Sequence, residues 1–598
     1  MKPIKKSTTP LKKSTEVASR KTTNKSYKQT DSTVSLFETL EHHLQQKKNT
    51  YLFLIIGLAF FLSILCFDAK ISLANDDALY IESGAKYAKD FFAKESFYLA
   101  NAPLYPTLLG LIIKVFGVNL IVLKFFSILF FCSGLFLLFI AFRNRIPYTI
   151  LIPSLLLTSI NFPFLMFASL TYTEPLYLLI IGLCFLITFT SFDTIFSDEK
   201  SFKQKTISAF LIGSTSFLFL ITRNIAIVAI VPILVFLIYR KKYLETGITF
   251  SVFVFLYFFY RFLVKLIWNV DQSQYEGQKL IFQKDAYNPA LGMETTAGFI
   301  TRLIDNAQIY IGQRFMYVLG FREEMSTEMQ TVVGKVSEIN TTNKLIVFLF
   351  VGLIMTSMYI MHKNKQYILL YSTLFFCAIL GANFIALQTS WGQTRFIMIY
   401  LPLILMAMFY LFYHLGKIIS FTQYIYPFVF FILFIASAKL TLKNAAERFP
   451  VFIENIKGDP TFGYTTDWQN YIKMTRWCAE KLPNETKSIA VRKAPMSYIF
   501  SSGKEFYPIY GTPTENPDSL LIPLRQSKVN YFMPAELRAN PAMYVENQII
   551  GTVHRYMYYI QVKYPNAFEF VHQEGDLEKA QLYKIRWNYI DSMQKILK

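Results

Sequence analysis

Cysteine and histidine are scarce in this chain, five and six among 598 residues. Cys66, Cys132, Cys184 and Cys377 fall in or at the edge of apolar runs, where a thiol acts as a small apolar group. Cys478 stands apart from them, so neither a disulfide framework nor a zinc site follows. No histidine belongs to a metal-spacing pattern such as H-E-x-x-H, and no Walker or dinucleotide glycine motif is present, which argues against a nucleotide-driven engine. Acidic residues are also in short supply, 40 against 60 Lys and Arg, for a net charge of +20. Much of that excess lies in an N-terminal tail (Lys2, Lys5, Lys6, Lys12, Lys13 and onward to Lys48) and in loops between apolar runs. That distribution reflects topology and attraction to anionic lipid rather than nucleic acid.

What the chain has in abundance is apolar and aromatic residues, 53% and 17%, with 59 Phe and 38 Tyr. Runs long enough to cross a bilayer, roughly 17–25 residues each, recur through the first three quarters. The pattern predicts about eleven transmembrane helices, near 51–67, 119–142, 147–167, 175–192, 206–222, 224–240, 247–268, 344–361, 366–387, 395–414 and 423–438. Segment 103–117 is apolar but short and reads as a helix on the membrane surface. Arg143 and Arg145, Lys200 to Lys205, Arg240 to Lys242, and Lys363 with Lys365 all fall on one side, which the positive-inside rule makes cytoplasmic. The basic tail 1–50, expected to be disordered, joins them. Loops 68–118 and 269–343 and everything after about residue 440 then face away from the cytoplasm.

From 441 to 598 charges, prolines and tyrosines replace the long apolar runs. Strands are expected at 488–491, 529–533, 567–571 and 581–585, and helices at 467–481, 517–527 and 541–563, making a small extracytoplasmic α/β domain.

The candidate chemistry gathers on the outer loops and rim. Asp76, Asp77 and Tyr80 open a surface helix expected from Asp76 to about Lys94, with Asn75 or Asp76 as its cap. Tyr105 lies in Ala102-Pro103-Leu104-Tyr105-Pro106, and Glu174 in Thr171-Tyr172-Thr173-Glu174-Pro175. Arg223 and Arg395 stand at rim positions, and Lys114 and Lys124 add weaker positive charge. Each has a plainer reading: acids in a first helical turn answer the helix dipole, and a rim Arg snorkels. Their convergence on one membrane face favours chemistry. Arginine forks bind phosphate, and a carboxylate can take the proton of an acceptor hydroxyl. Without a nucleotide motif, that combination suits a lipid-linked phosphosugar donor with its polyprenyl tail among Phe-rich helices.

The order Asp-Asp-x-x-Tyr, then Ala-Pro-Leu-Tyr-Pro and a short helix ending Phe116-Gly117, resembles the GT-C membrane glycosyltransferases. The likeness is nearest to family 39 relatives of the protein O-mannosyltransferases and of the aminoarabinose transferase acting on lipid A. The Thr171-Tyr172-Thr173-Glu174-Pro175 turn, Thr222-Arg223-Asn224 and Gln393-Thr394-Arg395-Phe396 before Leu401-Pro402-Leu403 are similar too, and the resemblance spans about 51–440. It implies a polytopic α-helical bacterial inner-membrane enzyme that moves a sugar from a polyprenyl-phosphate donor to an extracytoplasmic acceptor. Asp76 would be the base with Asp77 its neighbour, Arg395 and Arg223 would hold the donor phosphate, and Tyr80, Tyr105 and Glu174 would shape the sugar pocket. No metal is required, although an acid pair can recruit a divalent ion. There are departures. The lipid A enzymes carry Glu-Lys where this chain has Asn101-Ala102, and the Trp-Trp-Asp motif of oligosaccharyltransferases is absent. A transporter or flippase for lipid-linked sugars and a non-catalytic envelope scaffold are the alternatives; no internal repeat supports the first, and the second gives the acid–arginine cluster no purpose.

Overall fold

The computed structural model describes residues 36–73, 76–94, 102–270, 281–285, 291–322, 341–485, 487–538 and 551–596. Among them, nine helices are long and apolar enough to cross a membrane. A pair, Tyr148–Ser159 and Phe162–Ala168, bent by 59°, is long and apolar enough only when taken together, as a broken span or a re-entrant loop. The break follows from local chemistry. Asn161 caps the second piece by accepting from Phe164 N, while its amide donates to the carbonyl of Val318 at 2.6 Å. The expected span 224–240 is a shorter apolar helix, Asn224–Tyr239, whose first turn is 3-10.

Two boundaries differ from the sequence expectation. The segment expected as 395–414 divides into a short helix, Arg395–Met398, and a span, Leu401–Ile418, with Pro402 in its first turn. Pro402 has no N–H to donate to the Met398 carbonyl, so a continuous helix is interrupted at Ile399–Tyr400, just before the span begins. The last helix runs on as Ile425–Lys457, 33 residues, well past 438. Leu36–Gln46, placed in the tail by its polarity, is helical. Phe37 and Leu44 are buried, and Glu41 accepts from the backbone of Tyr148 and Thr149, capping a neighbouring helix.

The two short helices expected on the first loop are Asp76–Lys89, ending before Lys94, and Leu104–Phe116. They cross at glycines. A Cβ at Gly110 would lie 2.8 Å from Tyr87 Cβ and 3.0 Å from the Gly84 carbonyl, so only hydrogen permits this approach.

The C-terminal region holds a five-stranded sheet in the order β2-β1-β3-β5-β4. Its strands are β1 (Ile489–Val491), β2 (Tyr507–Pro508), β3 (Tyr531–Met533), β4 (Phe568–Glu574) and β5 (Ala580–Ile585). β1 is parallel to β2 and β3, while β5 is antiparallel to β3 and β4. β2, only two residues long, and the helices Ala494–Phe500 and Trp587–Ile596 were not among the expected elements. Helices Thr466–Lys481 and Pro517–Gln526 lie close to expectation. The expected 541–563 helix begins at Thr552, and its first ten residues lie outside the described residues, as do Asn75 and Asn101.

This region grips the segment that leads into the 76–89 helix. Lys70 Nζ donates to the Gly463 carbonyl at 3.2 Å, Tyr464 Oη to that of Ile71 at 2.8 Å, and Lys493 Nζ to that of Leu73 at 2.5 Å. Ile71, Ala78, Trp468, Ile472 and Met496 pack beneath these bonds.

Candidate active site

The two neighbouring acids at the start of the 76–89 helix have opposite surroundings. Asp77 is fully buried. It accepts from Ser72 N at 2.7 Å, Ser72 Oγ at 2.8 Å and Ala78 N at 2.9 Å. Burial pushes its carboxyl above the ordinary carboxylate range, opposed by the Lys124 ammonium and by these hydrogen bonds. Lys124 is itself buried and donates to the carbonyls of Asp68 and Lys70, closing the loop from the other side. Asp76, in contrast, keeps 36% of its side chain exposed and meets Arg395 Nη2 at 2.8 Å.

From that pair a line of alternating charge continues inward. Arg395 Nε lies 4.0 Å from Glu174 Oε1, and Arg223 Nη1 reaches the same oxygen at 3.2 Å. Glu174 is fully buried in the first turn of the Thr173–Ile195 helix, with Pro175 next to it. A carboxylate is favoured there by the helix dipole, and two guanidiniums complete its compensation. Its Oε2 and the Arg395 Nε have no hydrogen-bond partner, nor does Thr171 Oγ1 nearby in sequence. Arg223 is held extended between Phe202–Thr222 and the 3-10 turn, which aims it across the rim.

Aromatic rings fix the arginines. The Phe396 ring lies 5.0 Å from the Arg395 guanidinium and 5.5 Å from that of Arg223. Tyr172 supports Arg395 at 5.3 Å and Tyr177 supports Arg223 at 5.6 Å. Tyr172 Oη lies 3.1 Å from Ser72 Oγ, so one hydroxyl chain joins the arginine's platform to the Asp77 lock. The desolvated cation–π contact is worth about 2 kcal/mol, enough to favour one guanidinium orientation.

Asp76, Glu174, Arg223 and Arg395 are thus brought into one line, although they lie on four separate segments. Tyr80 is buried beside it, and burial raises its phenol well above the usual range. Tyr105 packs edge-on against Tyr80 at 5.3 Å with its hydroxyl 3.3 Å from Ser127 Oγ, behind the cluster rather than in it. Lys114 is exposed on the 104–116 helix and makes no ion pair among those found. Tyr172 and Phe396 stood within the motifs Thr-Tyr-Thr-Glu-Pro and Gln-Thr-Arg-Phe without being singled out as functional. Ser72 and Lys493 gave no sequence signal. Among the described residues no group of three or more His, Cys, Asp or Glu forms a metal-binding cluster.

This arrangement and the helix order define a polytopic α-helical membrane protein of the GT-C fold, with a small sheet at its C-terminus. No family model and no curated protein matches the sequence. Solved structures do match. The oligosaccharyltransferase of Archaeoglobus fulgidus, in complex with Zn and sulfate, superposes with a TM-score of 0.52 at 13% identity, over 81% of this chain and 68% of that one. ArnT from Cupriavidus metallidurans bound to undecaprenyl phosphate gives 0.50 at 9% identity, over 89% of this chain and 97% of that one. At such identity the likeness is one of fold.

Proposed function

We propose that this protein is a membrane glycosyltransferase that moves a sugar from a polyprenyl-phosphate donor to a hydroxyl of an extracytoplasmic acceptor. The observation that carries the reading is the line Asp76–Arg395–Glu174–Arg223, with one solvent-facing carboxylate at its end and two aromatic-braced guanidiniums behind it. One matching fold holds undecaprenyl phosphate, which supports a donor of that class.

In the unliganded site two acids balance two arginines. An arriving phosphate competes with Asp76 for Arg395, because the guanidinium fork suits phosphate at least as well as one carboxylate oxygen. Asp76 is then released from the ion pair and can take the acceptor's hydroxyl proton as the glycosidic bond forms. Arg395 and Arg223 stabilise the phosphate as it leaves with the bonding electrons. Glu174 keeps both guanidiniums aimed, Asp77 holds the loop that presents Asp76, and Tyr80 walls the sugar site. Direct displacement inverts the sugar carbon. The protein would work in a bacterial inner membrane with its N-terminus cytoplasmic and residues 441–598 outside.

The test separates binding from transfer. In purified protein, Asp76→Asn should bind undecaprenyl phosphate at least as tightly as wild type, because Arg395 loses its competitor. Glycosyl transfer in membranes, followed by mass spectrometry of envelope glycans, should fall about 10²–10⁴-fold. Undiminished transfer by Asp76→Asn would sink the assignment.

A further inference from the structure

Between Thr296 and Val318 the chain forms one continuous helix whose middle changes type. Thr296–Ala307 is α-helical, Gln308–Phe315 is a π-helix, and Met316–Val318 is α-helical again. A π-helix closes i→i+5 hydrogen bonds, is rare, and where it occurs is frequently at a functional site. Here every residue of it except Gln313 is buried. Because such a turn holds more residues than an α turn, adjacent side chains diverge less. Ile309 and Tyr310, neighbours in sequence, both reach the connection that runs from the span Tyr367–Ala386 to Arg395.

That connection is held at three successive points. Asn306, just before the π-helix, donates from Nδ2 to the carbonyls of Phe384 and Leu387, both at 2.8 Å, which the end of a helix leaves open. Next, Ile309 meets Gly392, where a Cβ would lie 2.8 Å from Ile309 Cγ2. Gly392, at φ −52° and ψ 62°, forms an inverse γ-turn in which Gln393 N–H donates to the Trp391 carbonyl. Tyr310 Oη donates to that same carbonyl at 3.4 Å. Its ring stacks on Phe384 at 5.5 Å and stands edge-on to Phe396 at 6.2 Å, and Phe396 is the ring beside both guanidiniums. Burial raises the Tyr310 phenol while the Arg314 and Arg395 guanidiniums oppose the rise, which puts Arg395 within electrostatic reach of the hydroxyl.

The helix Arg395–Met398 needs such a support. It has four residues, far below the length of about 12–15 at which a helix holds its own shape in water. Its direction therefore comes from what it packs on, and it packs against the π-helix.

We propose that Ile309 and Tyr310 are positioning residues for Arg395: the π-helical turn seats the Gly392 turn and so sets the angle at which the guanidinium meets the donor phosphate. Both act through Arg395 rather than on the donor itself. This role rests on the proposed part of Arg395 in holding the donor phosphate, and it brings the segment 296–318 into the reaction.

The experiment compares undecaprenyl phosphate with undecaprenol, which lacks the phosphate, as ligands of the full chain in phosphatidylcholine nanodiscs. The ratio of the two affinities isolates what the arginines contribute, because loss of tail contacts or of general packing weakens both ligands alike. Gly392→Ala drives a methyl against Cγ2 of a β-branched side chain that has little freedom to swing aside. It should cut the ratio about tenfold, the scale of one charge-assisted hydrogen bond. Gly392→Ala/Ile309→Ala removes the clash and should bring the ratio back to within about threefold of wild type. Tyr310→Leu should also cut it about tenfold, and Tyr310→Phe, which keeps the ring, should restore most of the loss. Midpoints of thermal unfolding on the same samples without ligand show which variants are folded; should Gly392→Ala not fold, the Tyr310 pair decides. A wild-type ratio in Gly392→Ala and Tyr310→Leu would overturn the seat, as would a double variant no better than Gly392→Ala. If wild type itself binds both ligands equally, Arg395 holds no phosphate and both readings fall. A wild-type preference for phosphate that every variant keeps removes the positioning role alone.

Discussion

Exchanging Arg395 for Lys keeps a positive charge beside Asp76 but removes the planar fork whose Nη2 meets Asp76 while its Nε faces Glu174. Charge-assisted hydrogen bonds are worth about 1.5–3 kcal/mol, so Arg395→Lys should weaken undecaprenyl phosphate binding roughly 10- to 100-fold, as read by a binding isotherm. Wild-type affinity would reduce Arg395 to a snorkelling side chain. Asp77 obeys different physics. All three of its recorded partners are donors, so Asp77→Asn turns an NH2 toward a donor in a buried site, which costs about 1–3 kcal/mol. A lower midpoint of thermal unfolding for Asp77→Asn, and an unchanged one for Asp76→Asn, is the expected contrast. The sequence names both acids but cannot separate them, because the separation comes from Ser72 and Lys124, on other segments. Glu174, Arg223 and Arg395 were legible because a charged group at the end of an apolar run has few reasons to be there. Lys493 and Tyr464 were not, since nothing local connects them to loop residues 420 and 393 positions earlier.

Helices were read from hydrophobic length, and that signal works where lipid is the solvent. It fails at breaks, which depend on single residues: Asn161 and its bond to Val318 bend one span, and Pro402 divides another from Arg395. The second break has a benefit for the site. It lets the short helix Arg395–Met398 turn independently of the span that follows, so the guanidinium is set by Tyr172 and Phe396 rather than by a transmembrane axis. The 76–89 helix is set differently, by its crossing with the 104–116 helix at Gly84 and Gly110. Gly110→Val places new atoms against Tyr87 and the Gly84 carbonyl. Overpacking of this kind costs about 1–3 kcal/mol and should push the two helices apart. The expected readout is faster proteolysis of the first loop together with reduced transfer, while undecaprenyl phosphate binding at Arg395 is largely retained.

Over the whole molecule, the line of charge and the C-terminal sheet gather at one end of the helical bundle, and Arg145 pairs with Asp193 at 2.5 Å at the other. In the orientation proposed above, which follows the Lys and Arg bias, this second end faces the cytoplasm. A cysteine introduced at exposed Ser519 should therefore react with an impermeant maleimide from outside the cell, and one at exposed Lys203 only after the membrane is opened. The reverse pattern would invert the protein and remove the extracytoplasmic acceptor from the scheme. One further feature is longer than a bilayer's apolar layer. The helix Ile425–Lys457 has 33 residues, about 50 Å at 1.5 Å per residue, against a hydrocarbon layer of about 30 Å. It is pinned by Tyr426 to the Thr149 carbonyl, by Thr441 to that of Ile160, and by Arg448 and Phe452 to Asp68 and Phe67. A post fastened at several heights cannot lengthen or slide. The position of the loop that carries Asp76 along this post is thus a fixed dimension of the protein, and a surrounding bilayer has to fit itself to that gauge.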